Sequence, residues 1–201
     1  MFAQVFQGRT SDGSALMGAV DRWTRELGPT AVGWLGSTSG VTDDGTFIGV
    51  ARFESAEAAR RNSDRPEQGE WWTETEKLFD GEVTFHDSED VEVDLQGDPD
   101  RAGFVQVMQG RTKDPARGRE LMTEDEVDWA TFRPDILGTL MVNHEADGWT
   151  MAIYFTSEAD ARDGEKKEPP AELQESMAEL NELAIGETTY YDLTDPWLMS
   201  P

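Results

Sequence analysis

Cysteine is absent from this 201-residue sequence, and histidine occurs only twice. The absence of cysteine excludes disulfide bonds, thiolate nucleophiles and cysteine-ligated metals. The two histidines, His86 and His144, lie in different halves of the chain, and neither has an acidic partner at a familiar ligand spacing. We therefore predict no metal site, and without a glycine-rich phosphate loop we predict no nucleotide cofactor and no cofactor of another kind.

Long apolar runs and positive charge are also scarce. No stretch of 18 apolar residues is present, and the N-terminal segment lacks the basic and apolar regions of a signal peptide, so we expect a cytoplasmic protein without a membrane span. The 42 acidic residues outnumber 17 basic ones and give a net charge of −25. Such a surface repels phosphate backbones and anionic lipids, which excludes nucleic acid and membranes as expected partners and leaves a small-molecule ligand open.

One short sequence occurs twice. Residues 2–10 and 104–112 agree at seven of nine positions, which indicates a duplicated unit. Residues 53–60 match 155–162 at the same offset of 102, and 81–87 match 186–192 at an offset of 105. We predict a first repeat over 1–93, a linker over 94–102 and a second repeat over 103–201.

The apolar pattern predicts the same order of elements, βαββαβ, in both copies. In the first copy we expect strands at 2–9, 31–41, 46–53 and 82–87, with helices at 14–27 and 55–79, the latter broken near 66–69. In the second copy we expect strands at 104–111, 136–144, 149–156 and 187–192, with helices at 116–130, 157–163 and 170–184.

This order is ferredoxin-like, with helices on one face of an antiparallel sheet. Each copy is too small to cover the other face of its own sheet. The predicted fold class is therefore α+β, with two ferredoxin-like repeats that form an intramolecular dimeric α+β barrel, a pseudo-dimer. Further association into a homodimer stays open, and a fragment of residues 1–95 should dimerise or aggregate.

The chain resembles the antibiotic-biosynthesis-monooxygenase-like members of the dimeric α+β barrel superfamily, here as a tandem fusion. The resemblance rests on the βαββαβ order, on the Phe-x-Ser-x-x-x-Ala-Arg entry to the second helix, and on the stretch 65–72. It implies a cofactor-independent monooxygenase that acts on an aromatic or polyketide-like molecule. A non-catalytic binding or stress-associated barrel is the alternative. A haem-degrading enzyme fits less well, because neither copy has a histidine in its second helix, where that family's iron ligand is expected.

Polar and aromatic residues on the predicted strands are the candidate site residues. Arginine could anchor an anion or pair with an acid, and a buried glutamine could line a pocket or bond within the barrel seam. The histidine could act as a base near neutral pH, and tryptophan could stack on a flat ligand or pack in the core. The candidates are His86, Tyr191, Arg9 and Arg111 for catalysis, and Gln4, Gln106, Trp34 and Trp71 for substrate binding.

Glycine is concentrated in the second and third strands of the first copy, at Gly33, Gly36, Gly40 and Gly49. Missing side chains leave room, and room beside a titratable group is what a site requires. The glycines could instead serve strand twist and close packing. We therefore predict that the better-formed cavity lies in the first copy, bordered by His86 with Trp34 or Trp71 as an apolar wall.

Overall fold

A computed structural model describes residues 1–123 and 127–201, which form two compact units. Unit 1 comprises residues 1–91 and 195–201, and unit 2 comprises residues 92–194. Each unit has one five-stranded sheet with helices, so the predicted α+β class with two repeats is confirmed. None of the helices in the described residues has the length and apolar content that a membrane span requires.

Unit 1 follows the predicted order and then gains one strand from the end of the chain. Its sheet has the strand order β10-β2-β3-β1-β4. Its elements are β1 (Phe2–Arg9), α1 (Gly13–Glu26), β2 (Trp34–Val41), β3 (Thr46–Phe53), α2 (Ala56–Ser63), α3 (Pro66–Thr75), β4 (Thr84–Ser88) and β10 (Trp197–Met199).

Unit 2 repeats this plan with the strand order β5-β7-β8-β6-β9. The predicted helix 116–130 is in fact two helices, and residues 124–126 lie outside the described residues. The elements are β5 (Val91–Leu95), β6 (Phe104–Arg111), α4 (Pro115–Thr123), α5 (Trp129–Phe132), β7 (Ile136–His144), β8 (Gly148–Phe155), α6 (Glu158–Gly164), α7 (Ala171–Leu183) and β9 (Thr189–Leu193).

Equivalent side chains begin equivalent helices in the two units. The Asp12 carboxylate accepts a hydrogen bond from the Ala15 amide, and Asp114 accepts one from the Arg117 amide, each 102 positions further along. Such caps satisfy amides that the first helical turn leaves without a partner. The predicted break near 66–69 falls earlier, because Pro66 is the first residue of α3, where a missing amide costs no hydrogen bond.

The fifth strand of each sheet was not predicted. β5 follows the last predicted strand of the first copy but joins the sheet of unit 2, and β10 follows the second copy but joins the sheet of unit 1. Both approach a glycine at a β-bulge: a Cβ on Gly36 would lie 2.8 Å from the Met199 carbonyl oxygen, and one on Gly138 would lie 2.7 Å from that of Asp94. The two fifth strands are therefore equivalent, residue for residue.

The turn between β2 and β3 carries a carboxylate whose contribution to stability depends on pH. Hydrogen bonds from the side chain of Thr42, then from the side chain and backbone of Thr46, lower the pKa of Asp44 from 3.8 to about 2. Because the folded pKa is the lower one, this stabilisation is complete above the ordinary value and is lost as the pH falls through about 2.

We expect Asp44→Asn to lower the melting temperature at neutral pH, with a difference from wild type that shrinks as the pH falls toward 2. Thermal unfolding followed by circular dichroism across this range measures it. Asp43→Asn removes a charge from the same turn and is the control. A melting temperature of Asp44→Asn that stays below wild type by the same amount down to pH 2 would contradict a stabilising role for the ionised Asp44 carboxylate.

Candidate functional site

Unit 2 contains a cavity of about 270 Å³ between its sheet and the helices α4 and α7. The volume lies just below the roughly 300 to 1,000 Å³ that ligand sites usually occupy. Every strand of the sheet contributes to the lining. The lining residues are Glu92, Met108, Arg111, Thr112, Pro115, Gly118, Arg119, Met122, Met141, Asn143, Trp149, Met151, Met177, Leu180, Asn181, Ala184, Thr188 and Tyr190.

Methionine dominates the wall of this cavity. Five of the eight methionines of the chain line it. Met122 and Met177 are 41% and 46% exposed, so they lie where the cavity opens to solvent. Methionine side chains are flexible and polarisable, and they adapt to ligands of differing shape and contact aromatic rings well. The wall is therefore suited to a flat apolar molecule.

Polar lining groups lie at both edges of the sheet. Glu92 is on the edge strand β5, and Tyr190 and Thr188 are on or beside the opposite edge strand β9. The inner strands contribute Met108, Met141 and Met151, together with the polar Asn143 and Arg111. The sheet thus presents apolar side chains to the cavity, with groups that can form hydrogen bonds at its edges.

The corresponding space in unit 1 is filled by side chains. Residues of the two units correspond at an offset of 102 before the second helix and at an offset of 105 after it. Matching backbone hydrogen bonds show this shift: the Asp80 amide donates to the Arg9 carbonyl, and the Ile185 amide donates to the Arg111 carbonyl. Four large residues of unit 1 have counterparts that leave room in unit 2. The pairs, unit 1 first, are Leu16 and Gly118, Trp72 and Met177, Phe79 and Ala184, and Trp197 and Glu92.

An aromatic cluster occupies this space in unit 1. The Phe47 ring lies 5.4 Å from the Phe79 ring and 6.0 Å from that of Trp197, measured between centroids. Leu16 packs against the same cluster and is 1% exposed. Each such side chain contributes about 1.5 to 3 kcal/mol by its burial. Unit 1 thus has a packed core where unit 2 has a cavity.

The glycines predicted to leave room in the first copy do not do so, which corrects the predicted place of the cavity. A Cβ on Gly49 would lie 2.6 Å from the Phe6 ring, and Gly36 is closed by the backbone of β10. Trp34 donates its indole N–H to the Ser37 hydroxyl, and Trp71 donates to the Ala19 carbonyl. A ring beside Gly49, backbone beside Gly36 and the Ala58 methyl group beside Gly33 occupy the volume that these glycines free.

The two strand-end arginines both pair with an aspartate of the adjacent hairpin turn. Arg9 donates to the Asp44 carbonyl and lies 3.6 Å from its carboxylate, and Arg111 donates to both carboxylate oxygens of Asp147. The hydrogen bond from Arg111 lowers the pKa of Asp147, and Asp147 in turn raises the pKa of Arg111. Arg111 borders the cavity and is the one predicted site residue among those that line it in the described chain.

The two strand glutamines donate hydrogen bonds to aspartates on the neighbouring strand. The Gln4 amide donates to Asp87 at 2.7 Å, and the Gln106 amide donates to Asp192 at 2.9 Å. Asp192 also accepts a hydrogen bond from Arg162, whose guanidinium lies over the Phe104 ring. The two glutamines thus satisfy their amides within their own sheets.

His86 and Tyr191 occupy equivalent positions on the last predicted strand of each copy. Both are half-buried, and they pair across the sheet with Val5 and Val107. Since Tyr190 lines the cavity and neighbouring strand residues alternate in direction, Tyr191 points to the opposite face of the sheet. By the same alternation His86 points away from Phe85, which packs against Phe6 and Trp72.

Sequence reasoning missed two ion pairs formed by α4, a helix that borders the cavity. Glu92 accepts a hydrogen bond from the Nε of Arg119, so an ion pair links β5 to α4. Arg117 ties α4 to α7 through two hydrogen bonds to Glu179, at 2.7 and 3.0 Å, and lowers the pKa of that carboxyl. The signal for Glu92 was present in the alternation of apolar and acidic residues over 91–95.

Solved structures share this fold over the full chain. A candidate monooxygenase from Lactobacillus acidophilus NCFM superposes with a TM-score of 0.75 at 11% identity, covering 99% of this chain and 95% of that one. A candidate monooxygenase from Fusobacterium nucleatum gives 0.77 at 10% identity, with 99% and 94% covered. An anthrone oxidase-like protein gives 0.62 at 11% identity, with 98% and 93% covered.

No protein-family model matches the sequence, and no curated protein matches it significantly. The full-length superpositions nevertheless show that the chain shares its fold, two α+β units in tandem, with these candidate monooxygenases. The predicted resemblance is confirmed at the level of the fold. At 10 to 11% identity the likeness carries no residue roles from one protein to another.

Proposed function

We propose that unit 2 binds a small, flat, largely apolar aromatic molecule and that the chain acts on it as a monooxygenase without a cofactor. The observation that carries this proposal is the methionine-lined cavity with polar groups at its ends. Two full-length structural neighbours are described as candidate monooxygenases and a third as anthrone oxidase-like, which supports the choice of reaction class.

The reaction needs no external reductant when the substrate itself supplies the electrons that reduce oxygen. A phenol or its keto tautomer loses a proton in the cavity, and the resulting anion reacts with oxygen. A ring CH₂ then becomes C=O, one oxygen atom enters the product, and the other leaves as water with the two hydrogens. The protein's part is to orient the ring between the methionines, to hold the substrate's oxygen and to exclude bulk water.

A second function, binding without reaction, is favoured by one feature of the cavity. None of the described residues that line it is a histidine, and the one carboxylate among them, Glu92, is held by Arg119. A site whose one lining carboxylate is engaged in an ion pair could store or carry the same class of ligand without reaction. Unit 1, with its packed core, would then be the structural half of a binding protein.

Oxygen uptake and ligand binding together separate the two functions. Anthrone, a flat three-ring molecule with one CH₂ flanked by rings, is a suitable probe. We expect it to quench tryptophan fluorescence in wild type but not in Trp149→Phe, and we expect one O₂ consumed per quinone formed at a rate above the protein-free reaction. Quenching without added oxygen uptake would support binding alone, and the absence of both would contradict both functions.

A further inference from the structure

We propose that the ion pair between Glu92 and Arg119 is the polar anchor of the cavity: Glu92 accepts the proton of a ligand hydroxyl, and Arg119 stabilises the oxyanion that remains. The inference rests on the proposed function, because it assumes a hydroxylated aromatic ligand in unit 2. It adds the ligand class, a neutral phenol or naphthol, and the two residues that touch its oxygen.

The first step of the argument is the distribution of charge around the cavity. The charged residues among its described lining are Glu92 on β5, Arg119 on α4 and Arg111 on β6, and Tyr190 on β9 is a further titratable group. Arg111 is held by Asp147 in the hairpin turn, outside the lining. Glu92 and Arg119 are therefore the two opposite charges that meet within the lining itself.

The second step is the position of this pair in the fold. Glu92 belongs to the fifth strand, which lies outside the repeated βαββαβ order, and its equivalent in unit 1 is Trp197. Trp197 packs into the aromatic cluster and is 8% exposed, whereas the side chains of Glu92 and Arg119 are 39% and 38% exposed. The same strand position thus closes the space in unit 1 and supplies a carboxylate to it in unit 2.

The third step is the chemistry of the two groups. A carboxylate has several acceptor sites and a guanidinium has five donors, so both can contact a ligand oxygen while they remain paired. In the proton transfer the ligand O–H bond breaks, its electron pair stays on the ligand oxygen, and the proton moves to Glu92. The positive charge of Arg119 then favours the oxyanion, as a nearby cation favours any anion.

The proposal makes opposite predictions for the two residues. Arg119→Gln removes a cation from beside the ligand, so the pH at which a bound phenol ionises should rise by about 1 unit. Glu92→Gln removes an anion, so that pH should fall, because in an equilibrium titration the proton goes to solvent and Glu92 acts on the phenolate only through its negative charge. A chromogenic probe, 4-nitro-1-naphthol, measures both effects, because its anion is coloured and can be titrated in the presence of excess protein.

An exposed ion pair elsewhere in unit 2 provides the matched control. Asp163→Asn and Lys166→Gln each remove one charge from the pair on and beside α6 and should leave the probe's ionisation unchanged. Binding of the probe by wild type with opposite shifts in the two cavity variants supports the inference. Binding with no shift, or with shifts of the same sign, overturns the inference and leaves the proposed function standing. No binding of the probe to wild type overturns both.

Discussion

Gly118→Leu should greatly weaken ligand binding and make the protein more stable. The substitution gives α4 the residue that α1 has at the equivalent position, where Leu16 is buried in the aromatic cluster of unit 1. A Cβ at Gly118 would meet its nearest neighbour, the Leu180 side chain, at 3.9 Å, so the backbone accepts a side chain without strain. The added side chain extends into the cavity and occupies ligand volume.

The expected effects are large and of opposite sign. Replacing glycine within a helix stabilises by up to about 1 kcal/mol. Displacing even one methylene-sized contact from a fitted pocket costs roughly 10- to 200-fold in affinity. Urea unfolding measures the first effect, and a fluorescence titration with anthrone measures the second.

Gly69→Leu is the matched control for this experiment. Gly69 lies in α3 of unit 1, and a Cβ there would have no neighbour within 4 Å. The control should therefore gain helix stability and keep wild-type binding. A Gly118→Leu protein that binds anthrone as wild type does would place the ligand outside this cavity.

Trp197→Ala should lower the free energy of unfolding by about 3 to 5 kcal/mol, the usual cost of removing a buried tryptophan side chain. Trp197 is the first residue of β10 and is buried against Phe47 and Leu16. Its loss leaves a cavity in the core of unit 1 and weakens the packing that holds β10 to β2. Urea or thermal unfolding measures the change.

The equivalent position in unit 2 supplies the control. Glu92→Ala removes a partly exposed member of an ion pair, and such pairs contribute about 0 to 1 kcal/mol. A difference between the two variants of less than about 1 kcal/mol would contradict the assignment of Trp197 to the core. The same contrast explains why a fragment of residues 1–95, which lacks β10, should associate or aggregate.

The elements of the fold could be predicted because they depend on local patterns. The repeat and the alternation of apolar residues located β7 at 136–144, which the structure gives as Ile136–His144. The fifth strands were missed for a different reason. Residues 91–95 alternate as a strand does, but their partner β7 lies more than 40 positions away along the chain. No local sequence pattern identifies which strand they pair with.

The site could be predicted less well, because a cavity depends on which neighbours fill a space. The glycines of copy one suggested room, but the ring of Phe6 occupies the space beside Gly49. The informative signal was the contrast between copies at equivalent positions, such as Leu16 against Gly118. That contrast can be seen only when the helices of the two copies are aligned at the correct offset. Its consequence for the cavity depends on how the helices pack against the sheet.

The methionine methyl groups provide the most direct test of the central claim, that the second unit alone carries the ligand site. In a protein labelled with ¹³C at the methionine methyls, the signals of Met108, Met122, Met141, Met151 and Met177 report on the cavity, and those of Met1, Met17 and Met199 report on unit 1. Addition of anthrone should shift the first group and leave the second in place. Shifts of Met17 or Met199, with the cavity signals unmoved, would contradict the account.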